Sequence, residues 1–81
     1  MEQQEVYDRV VKVVCEVLGI EKDIVEPESN FIFDLGAEST QSVQLVAAFE
    51  EEFDIEMEGE EAMAVQTVGE AVDFIAKYVN K

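Results

Sequence analysis

The sequence predicts an all-α fold: a small four-helix bundle of three main helices and one short one, with a long loop between helices 1 and 2. Two observations carry this. In three segments apolar residues recur every three or four positions, the spacing that gathers them on one face of a helix. Helix punctuation bounds two of those segments, with Gly19 after the first and the T-x-x-E capping pattern Thr67 to Glu70 before the last. Eighty-one residues make a single domain, 1–81. A chain of this size buries roughly 60–65 % of its unfolded surface, enough for one core and no second lobe.

From Val6 to Leu18 the stripe is Val6, Val10, Val13, Val14 and Val17. Valine favours strands, so the helix is read from period rather than propensity. Gly19 supplies the C-terminal stop, and Cys15 falls opposite Val6, towards solvent. Residues Ile20 to Ala37 carry no sustained period. Pro27, Ser29, Asn30 and Gly36 mark a loop, and Ile24, Val25, Phe31, Ile32, Phe33 and Leu35 are expected to pin it to the core. The second helix runs from Ser39 to Phe53, with Val43, Val46, Phe49 and Phe53 as its stripe, Leu45 on a shoulder and Ser42 at the edge. Thr40, Gln41, Gln44, Ala48, Glu51 and Glu52 are expected to face away. After Gly59, Glu60 to Ala64 suit one short helical turn. Thr67 then caps a last helix whose inner face is Val68, Ala71, Val72, Ile75 and Val79.

Composition excludes several functions. A formal charge of −15 makes nucleic-acid binding unfavourable and favours partners with basic surfaces. No apolar run is long enough to span or insert into a bilayer, and the acidic N-terminus is unlike a signal peptide. A monomer in the cytoplasm is the expectation. Twenty acids on so small a chain are expected to form a solvated face rather than a catalytic carboxylate pair. Asp54-x-Glu56-x-Glu58-Gly59 opens like a calcium loop, but the twelfth position, where a bidentate Glu closes the shell, is Val65. No metal site is expected. With no histidine in the chain, the single Cys15 has no partner for catalysis, and an enzyme is not expected.

The chemistry concentrates in Asp34-Leu35-Gly36-Ala37-Glu38-Ser39, where a Gly-bearing loop meets a helix start. Ser39 has two readings on physical grounds. It is either a helix cap worth about 1 kcal/mol, or a place where a phosphate ester would be stabilised by first-turn N–H groups and the helix dipole. In the second case Glu38 takes over the capping.

This hexapeptide resembles the D-L-G-A/x-D-S signature of acyl carrier proteins, whose serine bears a 4′-phosphopantetheine arm. The resemblance covers nearly the whole chain in family order. Val6 to Gly19 is similar to the first helix ending in "LG", and Asn30 to Phe33 to the apolar run before the motif. Ala48 to Glu56 resembles the "LEEEFD" end of the second helix, and Thr67 to Ile75 the "TVxxAxDYI" of the last. The resemblance implies an acyl carrier protein that delivers thioesters between enzymes of fatty acid, lipid or polyketide-type biosynthesis and catalyses nothing itself. It implies covalent 4′-phosphopantetheine on Ser39, taken from coenzyme A by a phosphopantetheinyl transferase, with Asp34, Gly36 and Glu38 as supporting motif. It further implies an acyl cavity, here assigned to Phe31, Ser42, Val46, Phe49 and Ile55. Partner recognition falls to Glu38, Thr40, Gln41, Gln44, Ala47 and Glu51, met by basic surfaces of acyl-loading and acyl-transferring enzymes.

Departures from the family pattern lie on that recognition face. Glu38 replaces the usual Asp, Thr40 the usual Leu, and the amides Gln41 and Gln44 usual acids, with only Ala47 as apolar contact. Weaker long-range attraction there suggests a specialised carrier serving a dedicated acyl-activating or biosynthetic system. Elongation by general fatty acid synthase enzymes at a housekeeping carrier's rate would refute that. A peptidyl or aminoacyl carrier is the nearest variant. An unmodified acidic interaction module, or a weak calcium binder, is the alternative from another class.

Overall fold

The computed structural model describes residues 1–80. Four α-helices follow in order: α1 (Gln3–Leu18), α2 (Ser39–Phe53), α3 (Gly59–Ala64) and α4 (Val68–Val79), with a short 3₁₀ turn at Lys22–Ile24. Helix α1 packs against both α2 and α4, and α3 rests on α2. Among the described residues no helix is long and apolar enough to cross a membrane.

Helix α1 buries Val6, Val10, Val11, Val13 and Val14. Val11 lies off the predicted stripe; serving two neighbours widens the buried arc of α1, and for the same reason Cys15 is half-buried rather than solvent-facing. Gly19 ends the helix in the left-handed region at φ 67°, its N–H donating to the Cys15 carbonyl.

Helix α2 has the predicted bounds but a different inner face. Leu45, Phe49 and Phe53 form the buried i, i+4, i+8 row, whereas Val43 is 60 % exposed and Val46 half-buried. Val43 lies two positions from Leu45, about 200° round the helix, so both cannot point inward. The larger side chains take the core. Ala48 and Glu52, expected outside, turn partly inward because α1 lies on that side. Glu52 accepts from Arg9 Nε at 2.9 Å and from Lys12 Nζ at 3.4 Å, and the Arg9 guanidinium sits 5.4 Å over the Phe53 ring. Asp54, at φ 54°, caps the C-terminus, so the first acid of the calcium-like run serves as a helix stop.

The long loop is strapped to the start of α4 by backbone hydrogen bonds. Phe31 N–H donates to the Gln66 carbonyl, Val68 N–H to Ser29 and Gly69 N–H to Pro27, at 3.0, 3.0 and 2.7 Å. Of the six apolar residues expected to pin it, Val25, Phe31 and Leu35 are buried; Ile24, Ile32 and Phe33 point to solvent. Residues 30–35 coil through a tight turn, so consecutive side chains fan outward and only those on its inner side reach the core. Helix α4 begins as expected, with Thr67 Oγ1 accepting the Glu70 N–H, and buries Val68, Ala71, Val72 and Ile75, while Val79 is half-buried.

Candidate functional site

Ser39 is the first residue of α2, and Glu38 is the N-cap. Gln41 completes a capping-box arrangement, its Oε1 accepting the Glu38 N–H at 2.9 Å. The cap is therefore made without the Ser39 hydroxyl, which has no hydrogen-bond partner among the described residues and lies in an exposed residue.

The preceding loop is built to deliver that serine. Asn30 Oδ1 accepts the N–H groups of Ile32 and Phe33, each at 2.9 Å, and Asp34 Oδ2 accepts the Asn30 N–H at 2.7 Å. The chain then reverses at Gly36, φ 73°, so that Ala37 N–H reaches the Phe31 carbonyl at 2.7 Å. A Cβ on Gly36 would meet nothing within 4 Å, so glycine is required here for its backbone angle and not for space. Asp34 and Gly36 thus shape the turn that leads into Glu38, the residue before Ser39.

A cavity of about 260 Å³ opens beside Ser39, between α2, α3, α4 and the loop. Phe31, Ser42, Val46 and Phe49 line it as expected; Ile55 does not, and packs half-buried against the core after the α2 turn. The lining also includes Ile32 and Phe33 of the loop, Met57, Met63 at α3, and Phe74 and Ile75 of α4. Of these only Ile75 stood on a stripe read from sequence; Met57, Met63 and Phe74 were not singled out, because which helix faces which is not written in the local pattern. Ser42 keeps its hydroxyl at the cavity wall, donating weakly to the Glu38 carbonyl at 3.4 Å.

On the outer face, Glu38, Thr40, Gln44, Ala47 and Glu51 are exposed as expected. Gln41 is half-buried and its amide is engaged in the cap, so it presents less to a partner than its position suggested. The electrostatics are strongly segregated. The cations Arg9, Lys12, Lys22, Lys77 and Lys81 are matched by Glu2, Glu5, Asp8, Glu16 and Glu21, and the other fifteen acids all fall within residues 23–76, where no cation occurs. The half-buried Cys15 thiol lies outside the site. Burial pushes its pKa above the ordinary value, with Lys22 drawing it down and Glu16 raising it.

A free hydroxyl at a helix start, beside an apolar cavity and without a histidine base, is equipped to receive a group and not to transfer one by itself. Two comparisons bear on this. Residues 8–75 match the family described as phosphopantetheine attachment site. The chain is also 49 % identical, over 74 residues and 91 % of each chain, to the acyl carrier protein of Picosynechococcus sp. (strain ATCC 27264 / PCC 7002 / PR-6).

Proposed function

Because the chain belongs to the phosphopantetheine-attachment family of acyl carrier proteins, non-catalytic carriers of acyl thioesters, we propose that Ser39 is the residue that bears the 4′-phosphopantetheine arm. The observation that carries this is the division of labour at the start of α2: Glu38 and Gln41 cap the helix, leaving the Ser39 hydroxyl free at the mouth of the cavity. The residues present fit the group. The N-terminus of the 15-residue α2 favours a phosphodiester, and the cavity lies within reach of whatever the arm carries.

In the loading reaction the Ser39 oxygen forms a new bond to the phosphorus of coenzyme A that bears pantetheine. The pyrophosphate bond breaks, adenosine 3′,5′-bisphosphate leaves, and the serine proton passes to a base of the phosphopantetheinyl transferase. The bound arm supplies a terminal thiol that holds acyl groups as thioesters. This chain's own residues present and shelter. The Asn30–Gly36 turn fixes where the arm begins, and Phe31, Ser42, Val46 and Phe49 offer an apolar recess for a short acyl chain. Glu38, Thr40, Gln44, Ala47 and Glu51 form the face that basic partner enzymes meet, and the tether raises the acyl group's local concentration at their active sites.

Intact mass after incubation with coenzyme A and a promiscuous phosphopantetheinyl transferase tests the assignment. Wild type and Ser42→Ala are expected to gain one arm and Ser39→Ala none. Arm uptake by Ser39→Ala overturns it.

A further inference from the structure

Exposed apolar surface is concentrated around Ser39. Of the large hydrophobics exposed among the described residues, Ile32, Phe33 and Met63 line the cavity that Ser39 lines, and Val43 follows Ser39 by about one helical turn. Met1 and Ile24 lie elsewhere. Phe33 is the extreme, 87 % exposed. A single exposed hydrophobe needs no explanation, but four around one reactive hydroxyl do.

The loop that displays Ile32 and Phe33 is not slack. Both N–H groups are held by Asn30 Oδ1, and Asn30 in turn by Asp34. A ring presented on a fixed backbone loses little freedom when a partner covers it, and buried aromatic anchors dominate interface energetics. Its surroundings say what kind of partner that is. Asp34 follows Phe33 directly, Glu38 lies at the helix start, and Glu60 and Glu61 precede Met63, all exposed and within the cation-free stretch 23–76. An apolar centre in an anionic rim is complemented by an apolar pocket in a cationic rim. A second copy of the chain would bring like charges together, and an anionic lipid surface would be repelled.

We propose that Ile32 and Phe33 are the apolar anchor by which the phosphopantetheinyl transferase seats on this chain. The proposal rests on the assignment of Ser39, since that enzyme has to reach the Ser39 oxygen and these side chains flank its approach.

The test is the initial rate of arm transfer from coenzyme A at varied carrier concentration, for wild type, Phe33→Ser and Ile24→Ser. Ile24 is a control, 56 % exposed and away from the cavity. Phe33→Ser removes almost no buried surface and is expected to keep the helical circular dichroism of wild type. KM for Phe33→Ser is expected to rise about tenfold with kcat within about twofold, as loss of an interface anchor predicts. Ile24→Ser is expected to match wild type. The ratio of variant to wild-type KM is expected to persist in high salt, where the charge-driven attraction is screened. An unchanged KM for Phe33→Ser, or an equal rise for Ile24→Ser, overturns the proposal. So does a wild type that sediments as a dimer with Phe33→Ser monomeric, which would give this face to a second copy. If Ser39→Ala takes up the arm, the functional reading itself falls; if only Ser39 is modified and Phe33→Ser keeps its KM, the anchor alone falls.

Discussion

Glu51 and Glu52 are adjacent acids near the end of α2, and removing their charges should move stability in opposite directions. Glu51 is exposed and has no ion pair among the described residues, while the Glu52 side chain is 17 % exposed and bridges Arg9 at 2.9 Å and Lys12 at 3.4 Å. For Glu51→Gln the dominant change is relief from neighbouring acids. One pair of like charges 10 Å apart in water repels by about 0.4 kcal/mol before screening. A few such neighbours, partly screened, leave a gain of about 0.5 kcal/mol at low salt that vanishes near 1 M. Glu52→Gln enjoys the same relief but loses more. Hydrogen bonds to a charged group contribute about 1.5–3 kcal/mol against about 0.5–1.5 for a neutral one. With the amide keeping one bond to Arg9, the gross loss is about 1.5 kcal/mol and the net loss about 1 kcal/mol. In a domain of this size 1 kcal/mol corresponds to about 4–8 °C in Tm. Thermal melts followed by circular dichroism at low and high salt are the assay. Glu51→Gln is expected to melt about 2–4 °C above wild type at low salt and level with it at high salt. Glu52→Gln is expected to melt about 4–8 °C below wild type at low salt and no closer at high salt. Wild type itself is expected to gain Tm with salt, because all of its excess charge lies in residues 23–76. Shifts of the same sign for the two variants at low salt would refute the reasoning.

Two further expectations concern the loop and pH. Gly36→Ala has room for its methyl but must hold φ 73°, so a loss of about 1–2 kcal/mol in urea denaturation is expected, and wild-type stability would refute the backbone argument. Cys15 and Tyr7 both titrate above their ordinary values, burial being the main cause in each, with Lys22 opposing and Glu16 adding at Cys15 and Glu26, Glu28 and Asp8 adding at Tyr7. The folded state therefore holds these protons to higher pH than the unfolded chain. Their stabilising contribution is complete below the unfolded values, about 8.5 and 10, and is lost as pH rises through the folded ones. A urea midpoint that falls on going from pH 8 to pH 11 is expected, together with Cys15 alkylation slower in the folded protein than in urea; a flat or rising midpoint would contradict it.

The helices and the start of the site were legible because their signals are local. Period 3.6, Gly19 and the Thr67–Glu70 cap depend on residues within a turn of one another, and they placed α2 with its observed bounds. The motif around Ser39 was legible by resemblance, although local physics alone left cap and attachment site undecided. The inner face of α2 was not legible: Val43 and Leu45 are comparably apolar, and only the placement of α2 against α1 chose Leu45. The same holds for Glu52 beside its neighbour Glu51, and for Ile55, which sequence proximity assigned to a cavity that α4 completes instead.

By itself the sequence determined that this chain forms helices, the bounds of α2, the Gly19 stop of α1 and the Thr67 cap of α4, and that its charge is overwhelmingly negative, because each of these is summed from residues close along the chain; the starts of α1 and α3 lie at Gln3 and Gly59, upstream of the expected Val6 and Glu60. Only the tertiary structure decided that a cavity opens beside Ser39 and that Phe33 stands in solvent at its edge. Those outcomes depend on which surfaces meet, and a contact between residues far apart in sequence leaves no mark on the pattern of either.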